Sequence, residues 1–203
     1  MKSDWLERII LNRKKLEEGY AANPRHFQGF KQDLTEDRYI EPCHFIYELI
    51  QNADDQKASK IHFQINNEEI VISHNGKNFT DRDVDDITTP RNSKKTNDAN
   101  QIGKYGIGFF SVYSICESPI IYSSINTENF FFRIKDLFWP EKLNVNENQK
   151  YKDIVRKNNT YFFLKFKENI KTNIVQEIEK FIEKNCKKSL LFLRCINNLT
   201  FVI

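Results

Sequence analysis

Glu48 and Asn52 stand four residues apart in the run Glu48-Leu-Ile-Gln-Asn-Ala-Asp-Asp55, a spacing that puts both side chains on one face of a helix. A carboxylate beside a carboxamide can hold a water for attack and a hard cation through oxygen, because Mg2+ takes oxygen ligands and keeps several waters. Asp55 follows one turn later. From spacing alone, a solvated helix face accounts for the same residues. A second cluster is Gly103-Lys-Tyr-Gly-Ile-Gly-Phe-Phe-Ser111. Glycines at 103, 106 and 108 let backbone amides approach phosphate oxygens where a helix begins, although a tight turn without a ligand needs them equally. The third is Ile72-Ser-His-Asn-Gly-Lys-Asn-Phe79, where His74 and Asn75 meet Gly76 at a strand end. A histidine bonded only to nearby backbone is the plain alternative there. Ser93, Lys94 and Lys95 lie in a polar run, where a lysine can meet a phosphate as a point charge or simply stand in water. Arg82, Arg91 and the remaining histidines carry no comparable signal.

The elements that must position these groups follow from periodicity. Trp5, Leu6, Ile9, Ile10 and Leu16 predict an amphipathic helix over Ser3 to Leu16, and the stretch from Glu17 to Asp37 reads as loop and short turns. Pro42 opens a second helix, to about Gln56, since a first-turn proline gives up only an amide without a partner. Strands Lys60 to Asn66 and Glu69 to His74 make a hairpin. A short helix at Asp81 to Ile87 leads into a polar lid, Thr88 to Asn100, and the glycine cluster runs into a helix from about Ile107 to Cys116. Strands follow at Ile120 to Ser124, Phe130 to Ile134 and Thr160 to Phe166, the last two separated by an Asn-rich, poorly patterned connection. Ile174, Ile178, Phe181 and Ile182 mark a third long helix, with strands near Leu190 to Leu193 and Leu199 to Ile203. Helices segregated from hairpins predict an α+β fold, helices packed on one face of a mixed, mostly antiparallel sheet.

At 203 residues the chain can bury one sizeable core. Thirty-one Lys and Arg against 28 Asp and Glu give a net charge of +3, which supplies no basic track for nucleic acid. The cysteines at 43, 116, 186 and 195 have no metal-ligand spacing. No leader or bilayer-length apolar run is present, and thiols in a reducing cytoplasm are expected. The chain reads as a segment of a longer polypeptide.

Glu48-Leu-Ile-Gln-Asn-Ala-Asp-Asp55 closely resembles the helix motif of the GHKL superfamily. The resemblance implies Glu48 as general base, Asn52 as the Mg2+ ligand and Asp55 as a residue beside the nucleotide. Gly103 to Ser111 resembles the glycine box of the heat-shock-chaperone branch. It implies that Gly103, Lys104, Tyr105, Gly106, Ile107 and Gly108 form the phosphate-facing hinge of a lid, with the amides of Tyr105 to Phe109 toward the β and γ phosphates. Ser93 and Lys94 fall where relatives carry a Ser-Lys element, and Thr160 matches a strand threonine that helps hold adenine through water, with Asn159 in place of the usual preceding glycine. The third motif departs from the superfamily's Asp-x-Gly-x-Gly. Gly76 fills the first glycine position, Asn78 replaces the second, and His74 replaces the Asp that grips the adenine amino group. A neutral imidazole can accept one hydrogen bond from that group but brings no charge, so weaker base affinity or selectivity is expected, with Asn75 as another source of a polar contact. With Ile40 to Asp55 and Pro90 to Lys95, this form resembles the sacsin and NO VEIN branch.

The resemblance implies a Bergerat-type two-layer α/β sandwich over residues 35–203, with 1–34 as an N-terminal extension. ATP and Mg2+ are the implied ligands, and slow hydrolysis to ADP and phosphate is the implied activity, in a module of a larger chaperone-like or defence protein. Relatives complete catalysis with a Lys or Arg from a following domain, lid closure or nucleotide-dependent dimerisation. Alternatives are a nucleotide sensor with little turnover, a two-component kinase, which lacks a phosphoacceptor helix, and a DNA-acting subunit, which lacks the basic surface.

Overall fold

The computed structural model describes residues 4–21, 24–25, 28–29, 43–89, 108–125, 128–186 and 192–203. A seven-stranded sheet organises them. Its strands are β1 (Lys60–Ile65), β2 (Glu69–His74), β3 (Ile120–Ile125), β4 (Glu128–Lys135), β5 (Trp139–Lys142), β6 (Thr160–Lys165) and β7 (Asn198–Val202), in spatial order β5-β4-β3-β6-β2-β1-β7. All pairs are antiparallel except β1 with β7. The β1–β2 hairpin closes as predicted, because the Asn66 side-chain oxygen accepts the N–H groups of Glu68 and Glu69 at 2.8 and 2.9 Å.

Alternation decides what each face carries. Ile61, Phe63 and Ile65 of β1, Ile70 and Ile72 of β2, and Phe162 and Leu164 of β6 are buried in the main core. Onto that face pack α1 (Asp4–Ala21), α2 (His44–Asp55), α3 (Asp81–Ile87), a 3-10 helix (Gly108–Ser114) and α5 (Lys171–Phe181). The α+β class and the mixed, mostly antiparallel sheet therefore stand. α2 buries Phe45, Ile46, Leu49, Ile50 and Ala53, and each of the four large side chains contributes about 2 kcal/mol by leaving water. α2 ends in a Schellman turn: Ala58 N–H bonds Ala53 C=O at 3.0 Å, Lys57 N–H bonds Asp54 C=O at 2.9 Å, and Lys57 adopts φ 63°.

The Asn-rich connection holds more order than its pattern indicates. β5 contains Pro140, which a sheet edge tolerates because no ladder partner awaits its missing N–H. α4 (Val145–Lys152) is set by a capping box between Asn144 and Glu147. Its Tyr151 stacks near Phe163 in a second, smaller cluster with Val71, Tyr122 and Phe131, on the sheet face away from α2.

α1 runs five residues beyond its predicted end. It is joined to the domain by Leu6 and Ile9 in the core, by Trp5 against Phe130 at 5.0 Å, and by buried Arg13, whose Nη2 lies 2.7–2.9 Å from Asp85, Thr88 and Thr89 oxygens. Residues 192 and 193 are not in a strand, so the strand expected near Leu190 to Leu193 is absent from its described part. The helix expected from Ile107 is a 3-10 helix from Gly108. No helix among the described residues is long and apolar enough to cross a membrane.

Candidate functional site

Glu48, its side chain three-quarters buried, leaves α2 and meets the start of the 3-10 helix. A Cβ placed on Gly108 would lie 2.0 Å from Glu48 Oε2 and 2.8 Å from its Cδ, so only glycine lets the carboxylate lie there. The other carboxylate oxygen, Oε1, is 3.2 Å from Nε2 of His44, one turn earlier. Sequence reading passed over His44, although the i, i+4 relation to Glu48 was there to be counted.

One turn further along α2, Asn52 is 7% exposed and its amide Nδ2 has no hydrogen-bond partner among the described residues. Amide nitrogen and oxygen are interchangeable by a flip, so either orientation turns an unsatisfied polar atom into this region. Asp55 repeats the theme. Its Oδ1 is bridged to Arg194 while Oδ2 is buried and has no partner among the described residues. Burial raises its pKa, an effect that the Arg194 charge offsets in part.

Asp54, between them, is occupied fully. Its carboxylate is 3% exposed and accepts the backbone N–H groups of Arg194, Cys195 and Ile196 at 2.7–3.1 Å, which clamps the approach to β7 onto α2. Burial pushes this carboxyl up, but the three amides and the Arg194 guanidinium together hold it below the usual range. No local pattern could find this contact, whose partners are about 140 residues apart.

The third motif docks on the end of the same helix. Lys77 N–H donates to Gln56 C=O at 2.8 Å, and a Cβ on Gly76 would stand 2.8 Å from that carbonyl oxygen. Gly76 is thus required by close packing. Asn75 points to β1: its oxygen accepts the N–H groups of Ser59 and Lys60, and its amide donates to Ser59 Oγ. His74 is 3% exposed, and the Gly76 N–H donates to its Nδ1 at 3.1 Å. Burial lowers its pKa to about 4, so the ring is neutral.

Across the sheet, His74 pairs with Thr160, whose hydroxyl lies 2.9 Å from that of Ser123, while Ser123 Oγ takes the N–H of Phe79 at 3.0 Å. His74, Thr160 and Ser123 form a buried polar row at one end of three neighbouring strands. Ser123 was not anticipated, since a serine in an alternating strand carries no signal. Phe109 is fully buried in the core, where it packs towards Phe162. Ser93, Lys94, Gly103, Lys104, Tyr105, Gly106 and Ile107 lie outside the described residues.

The structure thus brings two predicted groups to α2. Glu48 meets Gly108 near its first half, and Gly76 and Lys77 reach its end, with Asn52 and Asp55 between. Among the described residues, clefts of about 310 and 500 Å3 open on the other side of the sheet, the second lined by Lys60, His62, Ser73 and Arg156 and, at its end, by the predicted site residues His74 and Asn75. Neither includes a residue of α2. Among the described residues no group of three or more His, Cys, Asp or Glu is placed to hold a metal ion.

The chain is 34% identical to Protein NO VEIN of Arabidopsis thaliana over 110 residues, which are 52% of this chain and 4% of that protein. It is 36% identical to Sacsin of Homo sapiens over 95 residues, 37% of this chain and 2% of that protein. The chain therefore spans a small part of the length of either relative. Residues 67–172, more than half of the chain and including His74, Gly108 and Thr160, match the Sacsin domain, and the chain belongs to the Sacsin domain family.

Proposed function

We propose that the chain is a GHKL-type nucleotide-binding domain of Bergerat architecture, which binds ATP with Mg2+ between α2 and the sheet and hydrolyses it slowly to ADP and phosphate. One observation carries the proposal. Along one face of α2 stand a carboxylate wedged against a glycine, a buried carboxamide with an atom that has no partner among the described residues, and a half-buried carboxylate with one such oxygen. Buried polar atoms without partners cost roughly 1–3 kcal/mol each. A ligand with phosphate and cation groups would satisfy them.

Each residue then has a task. Asn52 turns its oxygen toward the cation, which needs no cluster of carboxylates because phosphate and water supply the remaining ligands. Mg2+ when bound neutralises charge on the phosphates. Glu48 orients a water and takes its proton as it attacks, and His44 fixes the carboxylate for this by holding Oε1. Thr160 and Ser123 line the base end. The lid and its amides from Gly103 to Phe109, with Ser93, Lys94 and Lys104, complete the phosphate contacts in this reading, and a domain following in the longer protein or a second copy supplies the remaining charge.

Calorimetric titration of Mg-ATP, ADP and GTP into the chain, beside Asn52→Ala, tests it. Metal-dependent binding by the wild type, lost in the variant, is expected, with phosphate release that Glu48→Ala abolishes. Binding without any phosphate release would leave a nucleotide sensor. No binding of any nucleotide would sink the proposal.

A further inference from the structure

At the buried end of β2, one hydrogen-bonding direction is fixed by the backbone. The Gly76 N–H can bond only to an acceptor, and at 3.1 Å it faces Nδ1 of His74. Turning the ring over would set a C–H against that amide, so the assignment of the ring atoms is not free. A neutral imidazole carries one proton, which must then be on Nε2. His74 is therefore a donor to whatever stands beyond it, and Nε2 has no partner among the described residues. An amino group there would oppose N–H to N–H. A carbonyl oxygen would complete the bond.

The surroundings suit a base edge. Thr160 and Ser123, beside His74 in the sheet, are 0% exposed, and either hydroxyl can be the donor of the bond between them. They adapt to donors and acceptors alike. The position along α2 also fits. The loop of His74 to Lys77 is docked at Gln56, eight residues from Glu48, or about 12 Å at the helical rise. That is the length scale separating the phosphates of a nucleoside triphosphate from its base.

We propose that the His74, Thr160 and Ser123 row is the base-reading end of the site, and that His74 donates to the oxygen of a 6-oxopurine, so that inosine and guanosine triphosphates bind more tightly than ATP. The inference rests on the nucleotide-site reading above and narrows its substrate class. It also revises the role expected for the imidazole, whose accepting nitrogen is already taken by Gly76.

The test is competitive titration of the wild-type chain with the Mg2+ complexes of ATP, inosine triphosphate and guanosine triphosphate. Inosine and adenosine triphosphates differ only at the base edge in question. Inosine and guanosine triphosphates should bind about tenfold more tightly than ATP, the worth of one hydrogen bond made against one left unmade. His74→Asp, which replaces the donor by an acceptor, should reverse the order. Should that variant fail to fold, the wild-type ranking alone decides. ATP binding as tightly as the other two, or more so, overturns the proposal and leaves the nucleotide site standing, whereas no binding by any of the three removes both.

Discussion

Asn52 and Asp54 are two residues apart on α2, both more than nine-tenths buried, and the molecule treats them oppositely. Around Asp54 every requirement is met: three consecutive backbone amides and a guanidinium converge on one carboxylate, and the C-terminal segment is held in place. Around Asn52 the account stays open, with Nδ2 and Asp55 Oδ2 both without a partner among the described residues. A closed polar cluster fixes architecture, because each member satisfies another. An open one in a folded protein costs stability, and a ligand is the means of recovering it. In the proposed reading, the difference separates scaffold from site on a single helix.

Paired truncations would break this distinction if it is wrong. Asp54→Ala strands three amides in a buried place and should destabilise the chain by about 4 kcal/mol. Asn52→Ala removes an unsatisfied group and should leave stability within about 1 kcal/mol of the wild type. Urea unfolding of both variants measures it. Equal losses would mean that Asn52 is as much a part of the scaffold as Asp54.

The same contrast explains what could be read from the sequence. α2, the β1–β2 hairpin and α3 were legible because period, turn residues and a capping threonine agree locally; Thr80 and Asp83 form the capping box that starts α3. β5 and α4 were missed because Pro140 and six polar residues in eight hide them, although Asn144-x-x-Glu147 was a readable start signal. In the site, the motif residues were legible by type, but their states were not. That Asp54 takes three backbone N–H groups of the C-terminal segment, where Asp55 meets only the Arg194 side chain, depends on contacts made only when the helix end and that segment meet. Long-range closure leaves no local period.

His74 gives the comparison a pH axis. Its folded value of about 4 lies below the ordinary 6.5 because burial opposes the charged ring, so the unfolded chain takes up a proton first as pH falls. This contribution to stability is complete above pH 6.5 and declines toward pH 4, by about 3 kcal/mol in all. Asp54, held below the usual carboxylate range, loses its contribution only under more acid conditions, as pH falls through its lowered value. Urea midpoints between pH 7 and 4.5 should therefore fall in the wild type and stay nearly level in His74→Gln. Parallel curves for the two proteins would show that the ring is not buried neutral.

Gly108 offers the finest division between scaffold and site. Its backbone φ is not in the left-handed region, so alanine brings no backbone strain, and the obstacle to a Cβ is the end of the Glu48 side chain, 2.0 Å away at Oε2. A flexible carboxylate can move aside at little cost to the fold, so Gly108→Ala should shift stability by less than about 1 kcal/mol. The displaced carboxylate is then about an ångström from where it would hold a water, and misplacement on that scale costs roughly 100-fold in rate. Nucleotide affinity should change only a few-fold, because the contacts proposed for Asn52 and the His74 row stay where they are. Phosphate release measured beside affinity tells the outcomes apart. Turnover unchanged in a folded variant would show that Glu48 packs against Gly108 without activating anything, and α2 would then carry a binding site but no catalytic one.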